Sequence, residues 1–305
     1  MPSLDNCIAK LKTFLPAERI LIDAPMSEQT TFKIGGPADC LVLPASINEV
    51  EKIMQLVNEY AVLCTIIGNG SNILVLDKGI RGIVIKLGAE MSGLHCEGEK
   101  LYAGCGALLS DAAKFSAEHL LTGLEFAVGI PGSIGGAIYM NAGAYGGEIK
   151  NIVTAVKAVN KNGSIVRYDA SALDFGYRHS IFQENENIIC EIEFTLQKGK
   201  KNEIITLMDD LTEKRESKQP LELPSAGSTF KRPPGYYAGT LIDQTGLKGF
   251  CVGGAQISDK HAGFVVNTGN ATAEDVLRLI AEVQRRVYEK HGVKLYPEVR
   301  LIGEK

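Results

Sequence analysis

Apolar residues recur along this chain at two spacings, and each spacing predicts its own kind of element. Behind Ser3, a residue suited to cap a helix, Ile8, Leu11 and Leu15 fall at helical spacing, and Pro16 marks the stop. Ser46-Ile47-Asn48-Glu49 has the form of a capping box opening a helix to about Tyr60. That helix stands between apolar strands at Cys40–Leu43 and Val62–Ile67, which makes a β-α-β unit. Ile73–Val75 and Ile83–Lys86 read as further strands. A helix near Leu108–Glu118 precedes strands at Ile152–Val159, Ile165–Tyr168 and Ile188–Leu196, so this half is expected to be α+β around a mixed sheet. The polar stretch Lys198–Asn202 is the best linker candidate. Beyond it come a helix around Glu203–Lys214, a Pro/Gly-rich loop from Pro220 to Gly239, a capped helix from about Thr272 to Tyr288 and a strand at Val299–Ile302. No internal repeat is visible.

Composition narrows the class. With 305 residues and 45% hydrophobic content the chain can bury a substantial core and form two or three subdomains. A net charge of -4, with charges dispersed, leaves no basic footprint for nucleic acid. Met1-Pro-Ser-Leu-Asp-Asn has no basic segment before an apolar run, and no stretch of about 18 uncharged apolar residues occurs, so a cytoplasmic protein without membrane association is expected. The seven scattered cysteines form no Cys-x-x-Cys pair and suit small buried thiols in a reducing compartment. None of the five histidines stands at ligand spacing from a cysteine or another histidine, so no metal is expected.

Two glycine-rich runs carry candidate chemistry. Gly68-Asn69-Gly70-Ser71-Asn72 follows an apolar strand, and successive N–H groups in such a turn form an anion-binding concavity that fits a pyrophosphate. Ile73 stands where a dinucleotide fingerprint needs its third glycine, and no Gly-Lys-Ser/Thr follows; a plain turn is the competing reading. In the second run, Ile130-Pro131 fixes an extended entry after Gly129, and Gly132-Ser133 offers donors at a helix start that continues through Gly136 and Ala137. Close helix packing through small residues competes with a second phosphate cradle there. Asn141 to Gly146, including Tyr145, continues that surface and can line a cofactor.

Three polar residues lie elsewhere. Arg178, after Tyr177 and among aromatic and small neighbours, can bind a carboxylate bidentately, against a surface ion pair or stacking on Tyr177. Ser228 lies beside Gly227 with Lys231 and Arg232 nearby, which can expose and polarise its hydroxyl; a solvated loop serine is the ordinary alternative. Glu298 begins the last strand, where a structural ion pair with Arg300 is the default.

Taken in order, Thr31-Phe32-Lys33-Ile34-Gly35-Gly36, the Gly-Asn-Gly-Ser-Asn turn, Gly-Ile-Pro-Gly-Ser, Tyr-Arg-His-Ser, Gly-Ser-Thr-Phe-Lys and Pro-Glu-Val-Arg resemble the UDP-N-acetylenolpyruvoylglucosamine reductase family over nearly the whole chain. The resemblance implies an α+β, FAD-binding fold of the vanillyl-alcohol-oxidase type, with FAD-binding subdomains at 1–86 and 87–198 and a substrate-binding part at 199–305. It implies non-covalent FAD, NADPH as reductant, and hydride transfer to the enolpyruvyl group of a UDP-sugar in peptidoglycan precursor synthesis. Arg178 and Glu298 are then expected to stabilise the enol-like intermediate and Ser228 to protonate the α-carbon, while Tyr177, Lys231 and Arg232 contact substrate. The chain resembles the shorter members, which lack an extra tyrosine-bearing segment after the stretch corresponding to Ser180, and it is expected to be a monomer. A flavin oxidase of the same superfamily, often with flavin tethered through His or Cys, and a non-catalytic nucleotide-sugar sensor are the alternatives.

Overall fold

The computed structural model describes residues 2–304. The chain divides into two compact units, each assembled from separate stretches: residues 1–22, 40–69 and 82–214 form one, and residues 23–39, 70–81 and 215–305 the other. The strands Ile20–Pro25, Pro37–Val42 and Ile80–Lys86 carry the chain across the division, and with Cys64–Ile67 they make a four-stranded sheet in the order Ile20–Pro25, Pro37–Val42, Ile80–Lys86, Cys64–Ile67.

The first unit begins with helix α1, Pro2–Leu11, and contains α2 (Ile47–Glu59), α3 (Leu109–Glu118), α4 (Ile134–Met140) and α5 (Phe182–Asn185), with α6 (Lys201–Glu216) at its end. Ser46 caps α2 by accepting the Glu49 N–H. The expected capping box is only half present, because the Glu49 carboxylate turns outward to the Ala45 N–H and to Arg19 at 2.7 Å, an ion pair that outcompetes the reciprocal cap. Cys64–Ile67 runs parallel to Ile80–Lys86, whose Ile83, Val84 and Ile85 are fully buried.

The sheet of the middle segment is not mixed, contrary to the sequence expectation. It orders Ile165–Asp169, Val153–Val159, Ile188–Thr195, Lys100–Gly104 and Leu94–Glu97, and every neighbouring pair is antiparallel. Short links join Leu94–Glu97 to Lys100–Gly104 and Val153–Val159 to Ile165–Asp169, and such links allow only antiparallel pairing. The linker expected at Lys198–Asn202 is likewise partly structured, since α6 already starts at Lys201. One apolar cluster fills this unit, with Leu101, Ile134, Ile138, Val156, Phe182 and Phe194 among its buried members.

The second unit is a four-stranded sheet, Ser225–Ser228, Phe264–Asn267, Ala255–Ile257 and Cys251–Val252, with α7 (Ala238–Gln244) and α8 (Ala273–His291). Val276, Leu279, Ile280, Val283 and Val287 repeat at three- and four-residue spacing along α8 and are buried, each contributing roughly 1.5–3 kcal/mol. Phe32, Ile34, Leu74 and Leu76 complete the core from the shorter stretches. Ile73–Val75 pairs in parallel with Arg300–Ile302.

Candidate active site

The Gly68–Asn72 turn lies at the end of the strand Cys64–Ile67, whose last residue Ile67 is buried, where the backbone leaves the sheet, and the division between the units falls between Asn69 and Gly70. Among the described residues no protein acceptor takes the N–H of Asn69, Gly70 or Ser71, which leaves a run of backbone donors of the kind that holds a diphosphate. Gly70 has φ +68°, and a Cβ there would fall 2.5 Å from the Gln29 carbonyl oxygen. The Thr31 N–H donates to the Gly70 carbonyl at 3.3 Å and the Thr31 hydroxyl to the Ser225 carbonyl at 2.7 Å, so Thr31 fixes this turn to the strand that ends at Ser228. Nothing in the sequence pattern marked Thr31 for that task.

The second glycine-rich run reaches the same place within the first unit. A Cβ on Gly68 would lie 2.6 Å from the Ser133 hydroxyl, so the two runs touch. Their approach to within contact is what a single large diphosphate ligand such as FAD requires, and the residues fit that group. The donors of α4 are less available than its position suggested. Ile134 and Gly135 give their N–H groups to the Ala107 and Cys105 carbonyls, and Gly136 gives its N–H to the capping Ser133 hydroxyl. Ala137 is buried in the core, whereas Gly136 is exposed. Tyr145, half exposed with φ +52°, sits in the tight turn between Gly143-Ala144 and Gly147-Glu148.

Arg178 occupies the second tip position of a two-residue hairpin. Gly176 and His179 exchange backbone hydrogen bonds at 3.2 and 3.3 Å, and Arg178 takes φ +54°, a left-handed conformation rare for its residue type. The turn is held from below: Asn141 donates to the Gly176 carbonyl at 2.9 Å and Gln183 to the Arg178 carbonyl at 2.9 Å. The guanidinium carbon lies 5.4 Å from the exposed Tyr177 ring, so the stacking alternative is realised. Lys150, followed by the Asn141 amide and then the charge of Arg178, holds the Glu148 carboxyl below its ordinary range against the opposing effect of burial. His179 stands 3.5 Å from both Asp174 and Glu184, and these three bring ligand atoms within 4.8 Å of one another on an open surface.

Ser228 does not lie in a loop; it ends the strand Ser225–Ser228 and pairs with Phe264. The sequence reading missed this strand because Ser-Ala-Gly-Ser has little strand preference, and tertiary pairing decides it. Beyond it the chain runs antiparallel to the segment leading to the last strand. Glu298 donates its N–H to the Thr229 carbonyl at 2.8 Å, Phe230 bridges Pro297, and Lys231 donates to Tyr296 at 2.8 Å. The buried Thr229 hydroxyl accepts the Val265 N–H, which locks the register next to the exposed Ser228. Asn72 then joins the cofactor turn to the same place: its amide donates to the Glu298 carbonyl at 3.3 Å and its carbonyl accepts the Arg300 N–H. Ser228, Glu298 and Asn72 are thus brought together within the second unit. Arg232 lies 4.0 Å over the Tyr237 ring, and Lys231 is exposed beside it.

Two glycine-rich runs in contact, one following a parallel strand pair, match a described FAD binding domain over residues 38–169, and the chain is an FAD-containing oxidoreductase with that fold. A chain of alkyldihydroxyacetonephosphate synthase, 18% identical and covering 64% of this chain and 40% of its own, shares the fold with a TM-score of 0.51. Residues 219–302 match the C-terminal domain of UDP-N-acetylenolpyruvoylglucosamine reductase. The reductase of that name from Caldanaerobacter subterraneus subsp. tengcongensis is 48% identical over 98% of both chains. The crystal structure of UDP-N-acetylenolpyruvylglucosamine reductase from Thermus caldophilus covers 93% of this chain and 98% of its own at 36% identity, with a TM-score of 0.80. The chain belongs to the UDP-N-acetylenolpyruvoylglucosamine reductase family.

Proposed function

We propose that Arg178, Ser228 and Glu298 carry out the reduction characteristic of this family, converting the enolpyruvyl ether of UDP-N-acetylglucosamine to UDP-N-acetylmuramate for peptidoglycan precursor synthesis. The Gly68–Asn72 and Gly129–Ala137 runs, with Tyr145 alongside, would hold FAD non-covalently, and the bound flavin would supply a hydride drawn from NADPH. Arg178 binds the substrate carboxylate. Hydride addition at the β-carbon pushes negative charge into that carboxylate, so a guanidinium already in place stabilises the transition state more than the ground state. Ser228 holds the proton delivered to the α-carbon; a strongly basic carbon accepts it from a hydroxyl of ordinary acidity when the two are aligned. Glu298 hydrogen-bonds the enol-like oxygen. Lys231 and Arg232 contact the UDP part of the substrate, and Tyr177, next to Arg178 on the hairpin tip, contacts the part that carries the carboxylate.

The observation that carries this reading is the Thr229–Glu298 hydrogen bond at 2.8 Å, which sets Ser228 and Glu298 on adjacent antiparallel segments, with Asn72 of the cofactor turn bonded to the Glu298 carbonyl. We further propose that residues 1–198 grip FAD and 199–305 bind substrate, and that the protein works as a cytoplasmic monomer apart from nucleic acid and membrane. No helix among the described residues is long and apolar enough to cross a membrane.

The test is Ser228→Ala followed through both half-reactions by anaerobic stopped-flow absorbance of the flavin band. Reduction by NADPH should stay within about twofold of wild type, and reoxidation by the enolpyruvyl UDP-sugar should slow by roughly 10²–10⁴-fold, the usual range for a lost general acid. Equal loss in both half-reactions would remove Ser228 from the role of proton donor.

A further inference from the structure

We propose that Asn141 is a positioning residue for Arg178, fixing the arginine hairpin to the end of the helix that follows the second glycine-rich run. This rests on the reading of Arg178 as the carboxylate-binding group. Asn141 ends α4 in the left-handed conformation, φ +42°, and is only 2% exposed. Its side chain is fully used: Nδ2 donates to the Gly176 carbonyl at 2.9 Å and to Glu148 Oε2 at 3.1 Å, while Oδ1 accepts the Lys150 N–H at 3.0 Å.

A helix cap alone does not call for this residue. At a left-handed C-terminal position glycine is the least strained choice, and what glycine lacks is the three bonds. The bond to Gly176 ties the chain after α4 to the base of the hairpin whose tip is Arg178, and the other two hold the Glu148–Lys150 segment beside it. Gln183 completes the support, donating to the Arg178 carbonyl and to the Tyr139 carbonyl, each at 2.9 Å. An arginine at positive φ persists only where its surroundings over-determine the turn. The Asn141 bond to Gly176 is the part of that surrounding which is made by a buried side chain at the end of the cofactor-side helix. Asparagine alone combines tolerance of this backbone with two donors and an acceptor; aspartate shares the backbone tolerance and the acceptor but would offer only repulsion to the Gly176 carbonyl and to Glu148.

The consequence is specific to one ligand group. Releasing the hairpin should weaken recognition of the substrate carboxylate and leave recognition of the UDP-sugar alone. Binding to the oxidised, flavin-loaded enzyme without reductant reads this directly, from the change each ligand causes in the flavin spectrum. In Asn141→Gly the dissociation constant for the enolpyruvyl UDP-sugar should rise roughly tenfold or more, as for a lost buried hydrogen bond to a positioned group, while that for UDP-N-acetylglucosamine, which has no carboxylate, changes less than about twofold. In an Arg178→Ala background the same substitution should add nothing, because the group it positions is gone. Asn141→Asp gives the same comparison should the glycine variant not fold. Equal weakening of both ligands, or a further loss on top of Arg178→Ala, would overturn the proposal as a positioning role. An Arg178→Ala variant that binds the carboxylate ligand as wild type does would overturn it at its root, by removing the role of Arg178 itself.

Discussion

At the scale of single residues, the site depends on a few backbone conformations that ordinary side chains avoid. Gly70 is the sharpest case. Its φ of +68° and the 2.5 Å approach of a would-be Cβ to the Gln29 carbonyl, with Thr30 Cα at 2.9 Å, place backbone rather than yielding side-chain atoms in the way. Gly70→Ala must therefore move either the cofactor turn or the Gln29-Thr30 segment, at about 1–3 kcal/mol for the strained backbone. The purified variant should carry less flavin per protein, read as the ratio of flavin to protein absorbance, and added FAD should restore it only at higher concentration. Full flavin content would mean that the turn does not hold the cofactor. The glycines here were legible because chemistry attaches to their spacing. Thr31 and Asn141 were harder to see in this role: a threonine inside Thr-Thr-Phe-Lys or an asparagine before Ala-Gly has no pattern that announces which distant carbonyl it will hold, since that partner is set by the fold.

At the scale of elements, periodicity was informative wherever one face is buried. The capped helix expected from about Thr272 to Tyr288 is α8, and Thr272 caps it with a full capping box, Thr272 and Asp275 each accepting the other's backbone N–H. Thr272→Ala should cost about 1 kcal/mol in denaturant unfolding, the usual value of a lost cap. The Thr272 backbone N–H, chiefly, holds the Asp275 carboxyl below its ordinary value of 3.8 against the opposing effect of burial, and the Gly254 N–H adds to the lowering. A depressed folded value means that this carboxylate stabilises the protein above its unfolded value, and that the contribution disappears as pH falls through the folded one. The stability gap between wild type and Asp275→Asn should accordingly be constant at neutral pH and close once the pH drops beneath 3.8. A gap that persisted in acid would assign the effect to packing. Periodicity failed where small residues form strands by pairing, as at Ser225–Ser228, and it could not tell a mixed sheet from an antiparallel one, because strand direction follows from connections rather than from any strand's own residues.

At the scale of the whole molecule, the chain's path decides what can fold by itself. The Ser225–Ser228 sheet and α8 belong to the C-terminal stretch, yet their core is completed by Phe32, Ile34, Leu74 and Leu76 from two short stretches far upstream. The last strand, Arg300–Ile302, pairs with Ile73–Val75, and two N–H groups at the start of α8, those of Ala273 and Glu274, are accepted by Asp77. This dependence was invisible in the sequence, where the polar stretch at Lys198–Asn202 was the best linker candidate; hydrophobic pattern marks which residues are buried and says nothing of which distant segment buries them. Residues 215–305 expressed alone would leave that core open on one side, a loss of several buried large side chains at about 1.5–3 kcal/mol each, comparable to the whole stability of a small domain. The fragment should show no cooperative thermal transition by circular dichroism. A longer fragment in which residues 23–39 and 70–81 are joined to it through short glycine-serine linkers should regain one, because it supplies both the missing apolar residues and the partner of the last strand. If the bare fragment melts cooperatively, the upstream stretches are dispensable for its core and only the cofactor turn they carry ties them to the reaction.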